Sequence, residues 1–244
     1  MLKAFNYIFK DNNLVQKSLW YFIWITLFMF VTCDFVSLSK NILHLFLLLT
    51  ITIIIESVIS GYQIAIIKSL DNNSNFNLIP YFNLKKNFIL GIKFLASTFM
   101  FNFIFYILLS IPCFILGILA YTISKTWTAC LITIIALTVI AYLLYFIVFL
   151  PAYKLYFSRT DDMFSIFDLK EIFSLISGNY NNYKRILLYF IILLFINILF
   201  KYVLNTSDID LILFVFNLLI TSAFTFYFSF ASTYLISKFD KNFD

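Results

Sequence analysis

Apolar positions run on for about twenty residues at a time along this chain, and short charged stretches separate the runs. Between residues 41 and 67 the only formal charge is Glu56, and residues 126–153 and 211–237 carry none. About 20 apolar residues carry a helix across the hydrocarbon layer, where unpaired backbone groups are so costly that only helices or closed barrels span it. The runs are continuous rather than alternating, which argues against a barrel. They predict an all-α, polytopic integral membrane helical bundle, a single domain over 1–244, with about six transmembrane helices near 19–36, 42–67, 88–121, 127–151, 186–204 and 211–236. The third run is too long for a straight perpendicular helix, so Pro112 is expected to kink or end it.

The connections carry a pattern of their own. Ile166, Leu169, Ile172, Phe173 and Ile176 share one helical face, while Asp168, Lys170, Glu171 and Ser174 occupy the other. That pattern predicts an amphipathic interfacial helix over 163–176, with Asp161 and Asp162 at its start and Gly178 at its end. Leu2, Phe5 and Phe9 draw a shorter stripe, and residues 76–86 a weaker one around Pro80. Together these suggest three parallel repeats, each an amphipathic helix followed by a helical hairpin. The alternative is that any connection between spans looks amphipathic.

Charge then gives the bundle a direction. Of the seventeen Lys and Arg residues, thirteen fall on one side: Lys3, Lys10, Lys17, Lys68, Lys85, Lys86, Lys154, Arg159, Lys170, Lys184, Arg185, Lys238 and Lys241. Lys40, Lys125 and Lys201 fall on the other, and Lys93 lies inside a span. The positive-inside rule places both termini in the cytoplasm, as expected for a multi-pass protein of the cell membrane. Composition agrees with lipid: 63% of residues are hydrophobic and 12% charged, against roughly 45–50% and 25% in soluble domains. The net charge of +5 is scattered between spans, so anionic headgroups are its partner and nucleic acid is not. No small-residue cleavage site cleanly follows the first span, which is expected to stay as an anchor.

Several short stretches carry a resemblance. They are Ala4-Phe5-Asn6-Tyr7-Ile8-Phe9-Lys10-Asp11, Gly61-Tyr62, Gly91-Ile92-Lys93, Tyr106, Leu150-Pro151-Ala152 and the segment 164–176. In this order the chain resembles domain-of-unknown-function family 4013, a group of prokaryotic multi-pass membrane proteins. It departs from the pattern before the third span, where Pro80-Tyr81-Phe82-Asn83-Leu84 replaces an acidic or Trp-containing signature. The resemblance implies a membrane location and about six helices, and carries no reaction or ligand with it.

Glu56 is the sharpest single candidate, because a charge at mid-span costs about 2.5–3.5 kcal/mol on insertion scales and intramembrane acids commonly face a cavity or partner. It reads either as a proton or cation site or as a hydrogen-bonded carboxyl that fastens two helices. Lys93 is its candidate partner, although snorkelling toward the cytoplasmic interface explains that lysine better. Asp34 and His44 form a candidate polar pair at the outer face. Asp168, Lys170 and Glu171 are a candidate cytoplasmic partner face. Cys33, Cys113 and Cys130 have no metal-type spacing and specify neither a disulfide framework nor a redox compartment. Ser222, Ser229 and Ser232 in the last span are suited to close helix approach, whereas the third span offers only Ser97, Ser110 and Gly117 for such a seam.

No zinc, phosphate-loop or nucleophile-elbow motif is present, which disfavours an enzyme and gives no metal or cofactor site. The preferred expectation is a non-catalytic membrane scaffold, assembly or accessory subunit with a membrane or cytoplasmic protein partner. The alternative is a small permease or transporter using Glu56 as a proton or cation site.

Overall fold

The structure, a computed structural model, describes residues 13–37, 42–72, 79–123, 145–178, 180–204 and 211–238, with a few positions between 133 and 142. Among the described residues every regular element is helical. In chain order these are α1 (Leu14–Ser37), α2 (Ile42–Asn72), α3 (Leu84–Ile123), a π-helical turn (Tyr145–Phe149) running into α4 (Leu150–Thr160), a 3-10 turn (Met163–Phe167), α5 (Leu169–Gly178), α6 (Tyr180–Leu204) and α7 (Leu211–Ile236). Among the described residues three stretches, Leu45–Asp71, Leu84–Ile104 and Val215–Ile236, are long and apolar enough to cross a membrane. At 1.5 Å per residue they rise about 30 to 40 Å, which covers the ~30 Å hydrocarbon core.

Four-residue spacing decides what α1 buries. Lys17, Tyr21, Ile25 and Met29 turn inward, while Leu19, Trp20, Ile23, Leu27 and Phe30 are exposed. An apolar outer face of this kind is at home in lipid, which is as apolar as the side chains themselves. Along α2 the environment changes instead with depth. Leu45, Phe46, Leu47 and Leu49 are exposed, but Val58, Tyr62, Ile64, Ile66, Ile67 and Leu70 are buried. Against that second half pack Phe94 of α3, Tyr153 and Phe157 of α4, and Phe230, Ala231 and Leu235 of α7. The described core thus gathers at the end of the bundle where the basic connections lie.

Aromatic rings hold this core at two places. Tyr21 stands 4.9 Å from Tyr62 and 5.5 Å from Phe230, joining α1, α2 and α7. Phe94 stacks on Tyr153 at 5.6 Å, joining α3 and α4. Such pairs add about 0.5–1.5 kcal/mol each beyond their buried area.

The structure refines the sequence expectations at Pro112 and Pro151 and in the connections that precede α3 and follow α4. Of the kink or end expected at Pro112, the end does not occur, because α3 is one helix of 40 residues running through it. A missing N–H frees a single carbonyl, a defect that membrane helices tolerate. Pro151, expected as the end of the fourth span, lies in the first turn of α4, where its ring is favoured, and helix continues to Thr160. The turn before it is π-helical, and Tyr183 of α6 donates to its Val148 carbonyl.

The interfacial helix over 163–176 is two pieces. Asp162 accepts from the Phe164 N–H at 3.1 Å and starts the 3-10 turn, and Asp168 separates it from α5. Asp161 ends α4 instead of starting the next element: its N–H still reaches the Phe157 carbonyl at 2.9 Å, and its left-handed φ of 55° turns the chain out of the helix. Ile166 and Ile172 are buried against the body, and Leu169 and Phe173 are exposed. Around Pro80, residues 79–83 are not helical, and Asn83 caps α3 by accepting from the Lys86 N–H at 3.0 Å. The stripe at Leu2, Phe5 and Phe9 lies outside the described residues.

Candidate functional site

A polar stripe runs along α2. Thr52, Glu56, Ser60 and Gln63 follow one another at spacings that return to the same helical face. Glu56 is exposed on that face, Ser60 is buried, and Gln63 enters the core. The Gln63 amide donates through Nε2 to the Tyr21 hydroxyl at 3.0 Å and to Ser229 Oγ at 2.7 Å. Its Oε1 accepts from Lys154 Nζ, and since lysine can only donate, this contact orients the amide. Tyr21 and Ser229 also hydrogen-bond to each other. One side-chain amide therefore joins α1, α2, α4 and α7.

Lys154 sits three residues beyond Pro151, with its ammonium 5.6 Å from the Phe94 ring centroid. Burial pushes its pKa down to about 8, and the Glu56 carboxylate acts against that shift by favouring the charged form. The same network brings Ser229 into the contact between helices that the serines of the last span suggested.

A second constellation sets the distance between α2 and α3. Ser57, Gly61 and Ala65 recur every four residues on α2, as do Asn87 and Gly91 on α3. Small residues at this spacing let helix backbones approach closely. A Cβ added to Gly61 would overlap the Asn87 carbonyl and stand 2.8 Å from the Gly91 nitrogen. One added to Gly91 would overlap the Ser57 carbonyl and stand 2.9 Å from the Gly61 nitrogen. The two backbones touch, and each glycine Cα–H points at a carbonyl oxygen of the other helix, a weak favourable contact.

Tyr62, beside Gly61, is fully buried, and its hydroxyl lies 2.9 Å from the Pro80 carbonyl and 3.1 Å from that of Lys17. It pins both α1 and the 79–83 strap to α2. At the edge of the bundle Arg159 forms a two-pronged pair with Asp71 at 2.7 and 3.0 Å, and Lys68 pairs with Asp161. These contacts fasten the end of α4 to the end of α2.

Of the residues singled out in the sequence, Glu56 lies on the stripe and Lys93 is exposed on α3. Asp168, Lys170 and Glu171 are all exposed, and Asp168 accepts from the Tyr156 hydroxyl at 3.2 Å. Asp34 and His44 belong to α1 and α2, but their side chains lie outside the described residues, as do those of Cys33, Cys113 and Cys130. Among the described residues no group of three or more His, Cys, Asp or Glu side chains is placed to hold a metal ion. Sequence reasoning missed Gln63, Tyr21 and Lys154. The signal for Gln63 was its position seven residues beyond Glu56, and no local signal pointed to Lys154. It also missed Gly91 as the third span's seam.

The family described as Protein of unknown function (DUF4013) matches residues 44–206, which include the α2 stripe, the glycine crossing and Lys154. No curated protein and no solved structure matches the chain. The chain belongs to the DUF4013 family.

Proposed function

We propose that this DUF4013 member is a six-span protein of the prokaryotic cytoplasmic membrane, with both termini inside, that acts without catalysis as a membrane scaffold or accessory subunit. The observation that supports this best is how the interior polar groups are used. Gln63, Tyr21, Ser229 and Lys154 satisfy one another, and Tyr62 bonds to two segments at once. Groups committed to joining helices are those of a rigid platform. On the basic side of that platform Asp168, Lys170 and Glu171 remain accessible, which suits contact with a cytoplasmic or membrane protein. The threefold plan belongs to the same proposal, with its middle unit opened by a non-helical strap at 79–83 in place of a helix.

One observation favours a second reading, a small permease: Glu56 is exposed near mid-span at the head of a polar stripe. Charge reversal at the helix surface separates the two. On the scaffold reading, Asp168→Lys with Glu171→Lys removes co-purification of a defined, cross-linked partner, and Glu56→Gln leaves it intact. Loss of proton-coupled uptake in Glu56→Gln, with partner binding unchanged in the charge-reversed variant, would reject the scaffold in favour of the permease.

A further inference from the structure

We propose that the strap at 79–83 and the face of α3 that follows it form a binding site for an anionic phospholipid, with Lys85 and Lys86 taking the headgroup phosphate and Tyr81 beside them. The inference goes beyond the accessory-subunit reading and does not depend on it.

The strap is fastened so that its outward residues are held in place. Ile79 is buried, the Pro80 carbonyl accepts from Tyr62 at 2.9 Å, and Phe82 meets the Tyr62 ring at 5.3 Å. Asn83 then caps α3 by accepting from the Lys86 N–H at 3.0 Å. Between these fixed points Tyr81 stands 61% exposed, with the Lys17 ammonium of α1 5.2 Å from its ring centroid. Lys85 and Lys86 follow in the first turn of α3, and both are exposed. A site whose backbone is already fixed loses less ordering entropy when it binds.

Charge points to an anion. No Asp or Glu occurs between Asp71 and Asp161, and those two acids are paired with Arg159 and Lys68. Among the described residues no acid pairs with Lys85 or Lys86. The first turn of α3 carries these two lysines and no acid, at the end of a helix where cations are disfavoured. That arrangement costs stability on its own, and a bound phosphate offsets it. The apolar surface beneath the lysines makes the ligand a lipid and not a free phosphate. Ile89, Ile92, Phe99 and Phe103 recur with Lys85 on one side of α3 at spacings of three, four and seven, and all four are exposed. From Ile89 to Phe99 the stripe descends about 15 Å, the hydrocarbon depth of one leaflet. Acyl chains lie along it while the headgroup meets the lysines, each worth about fivefold in affinity near a membrane surface.

The test uses the full chain in a neutral detergent, titrated with phosphatidylglycerol or phosphatidylcholine and read by native mass spectrometry as lipid retained per protein. Phosphatidylglycerol is expected to bind more tightly, and Lys85→Gln with Lys86→Gln to weaken it by more than about tenfold. Lys184→Gln, at an exposed lysine of α6, is expected to leave it little changed. Equal retention of the two lipids overturns the proposal, because nothing then selects the anion. An equal loss in Lys184→Gln also overturns it, because diffuse surface charge then accounts for the binding. Displacement of the lipid by inorganic phosphate at comparable concentration does the same, by showing an anion site without a lipid site. Should the double variant fail to fold, lysine acetylation of the native protein decides. Phosphatidylglycerol is expected to shield Lys85 and Lys86 from the reagent while Lys184 continues to react, and unchanged reactivity at both strap lysines rejects the site.

Discussion

Adding one methyl group at Gly61 or Gly91 should pry two helices apart, while the same change at Gly178 should be harmless. At ordinary packing, heavy atoms sit about 3.5 Å apart or more. A Cβ at Gly61 or Gly91 would stand 2.8 or 2.9 Å from a backbone nitrogen and overlap a carbonyl oxygen. The helices must therefore separate by more than about 0.6 Å, since that is the deficit at the nitrogen and the oxygen is closer still. A carbonyl fixed in a helix cannot rotate aside as a side-chain tip would. Overpacking costs about 1–3 kcal/mol in well-packed cores, and lost contacts along the whole seam add to it. Alanine's better helix preference returns about 1 kcal/mol. The expected net loss is about 2 kcal/mol or more for either substitution. The double substitution should cost less than the sum, because both methyls demand the same separation. At Gly178, where nothing lies within 4 Å, the helix preference acts alone and Gly178→Ala should be neutral or slightly stabilising. Reversible unfolding in mixed detergent micelles measures all four variants. If Gly61→Ala and Gly91→Ala unfold at the same denaturant level as Gly178→Ala, the close crossing is wrong.

Two further outcomes follow from the polar contacts. Tyr62→Phe removes the hydroxyl shared by the Lys17 and Pro80 carbonyls, and should cost about 1–3 kcal/mol in the same unfolding assay because buried acceptors lose their donor. Lys154 gives stability a pH dependence whose sign is opposite to that of a paired surface lysine. Its folded pKa lies near 8 and its ordinary value at 10.5, so between these the unfolded chain binds more protons and stability rises with pH. Below about 8 the burial cost is present in full. Comparing unfolding at pH 7.5 and pH 9.5 should show this rise in the native chain and its absence in Lys154→Met.

Helix location was legible wherever composition alone decides it. The last expected span, 211–236, coincides with α7, because an uncharged run of that length has one stable form in lipid. The extent of the other helices was less legible, since hydropathy marks where a chain stops being apolar and not where it stops being helical. α3 begins at Leu84 with two lysines in its first turn, and α4 carries Lys154 and Arg159 beyond Pro151. Glu56 was legible as a candidate because its cost is local. Lys154 was not, for it lies 91 residues from Gln63 in sequence and is brought to it by tertiary packing. Gly61 and Gly91 were visible as residues of the family resemblance, but the four-residue recurrence of Ser57, Gly61 and Ala65 carried the packing information.

In the proposed orientation the polar network and the basic connections lie together on the cytoplasmic side of a multi-pass bundle. A cysteine-accessibility experiment in intact cells tests it most directly, with single cysteines introduced at Asp71 and Ser174, which mark the end of α2 and the exposed face of α5, in a chain whose native cysteines are replaced. The account predicts that a membrane-impermeant thiol reagent labels neither position until the cells are opened. Labelling of Asp71→Cys from outside intact cells would contradict it.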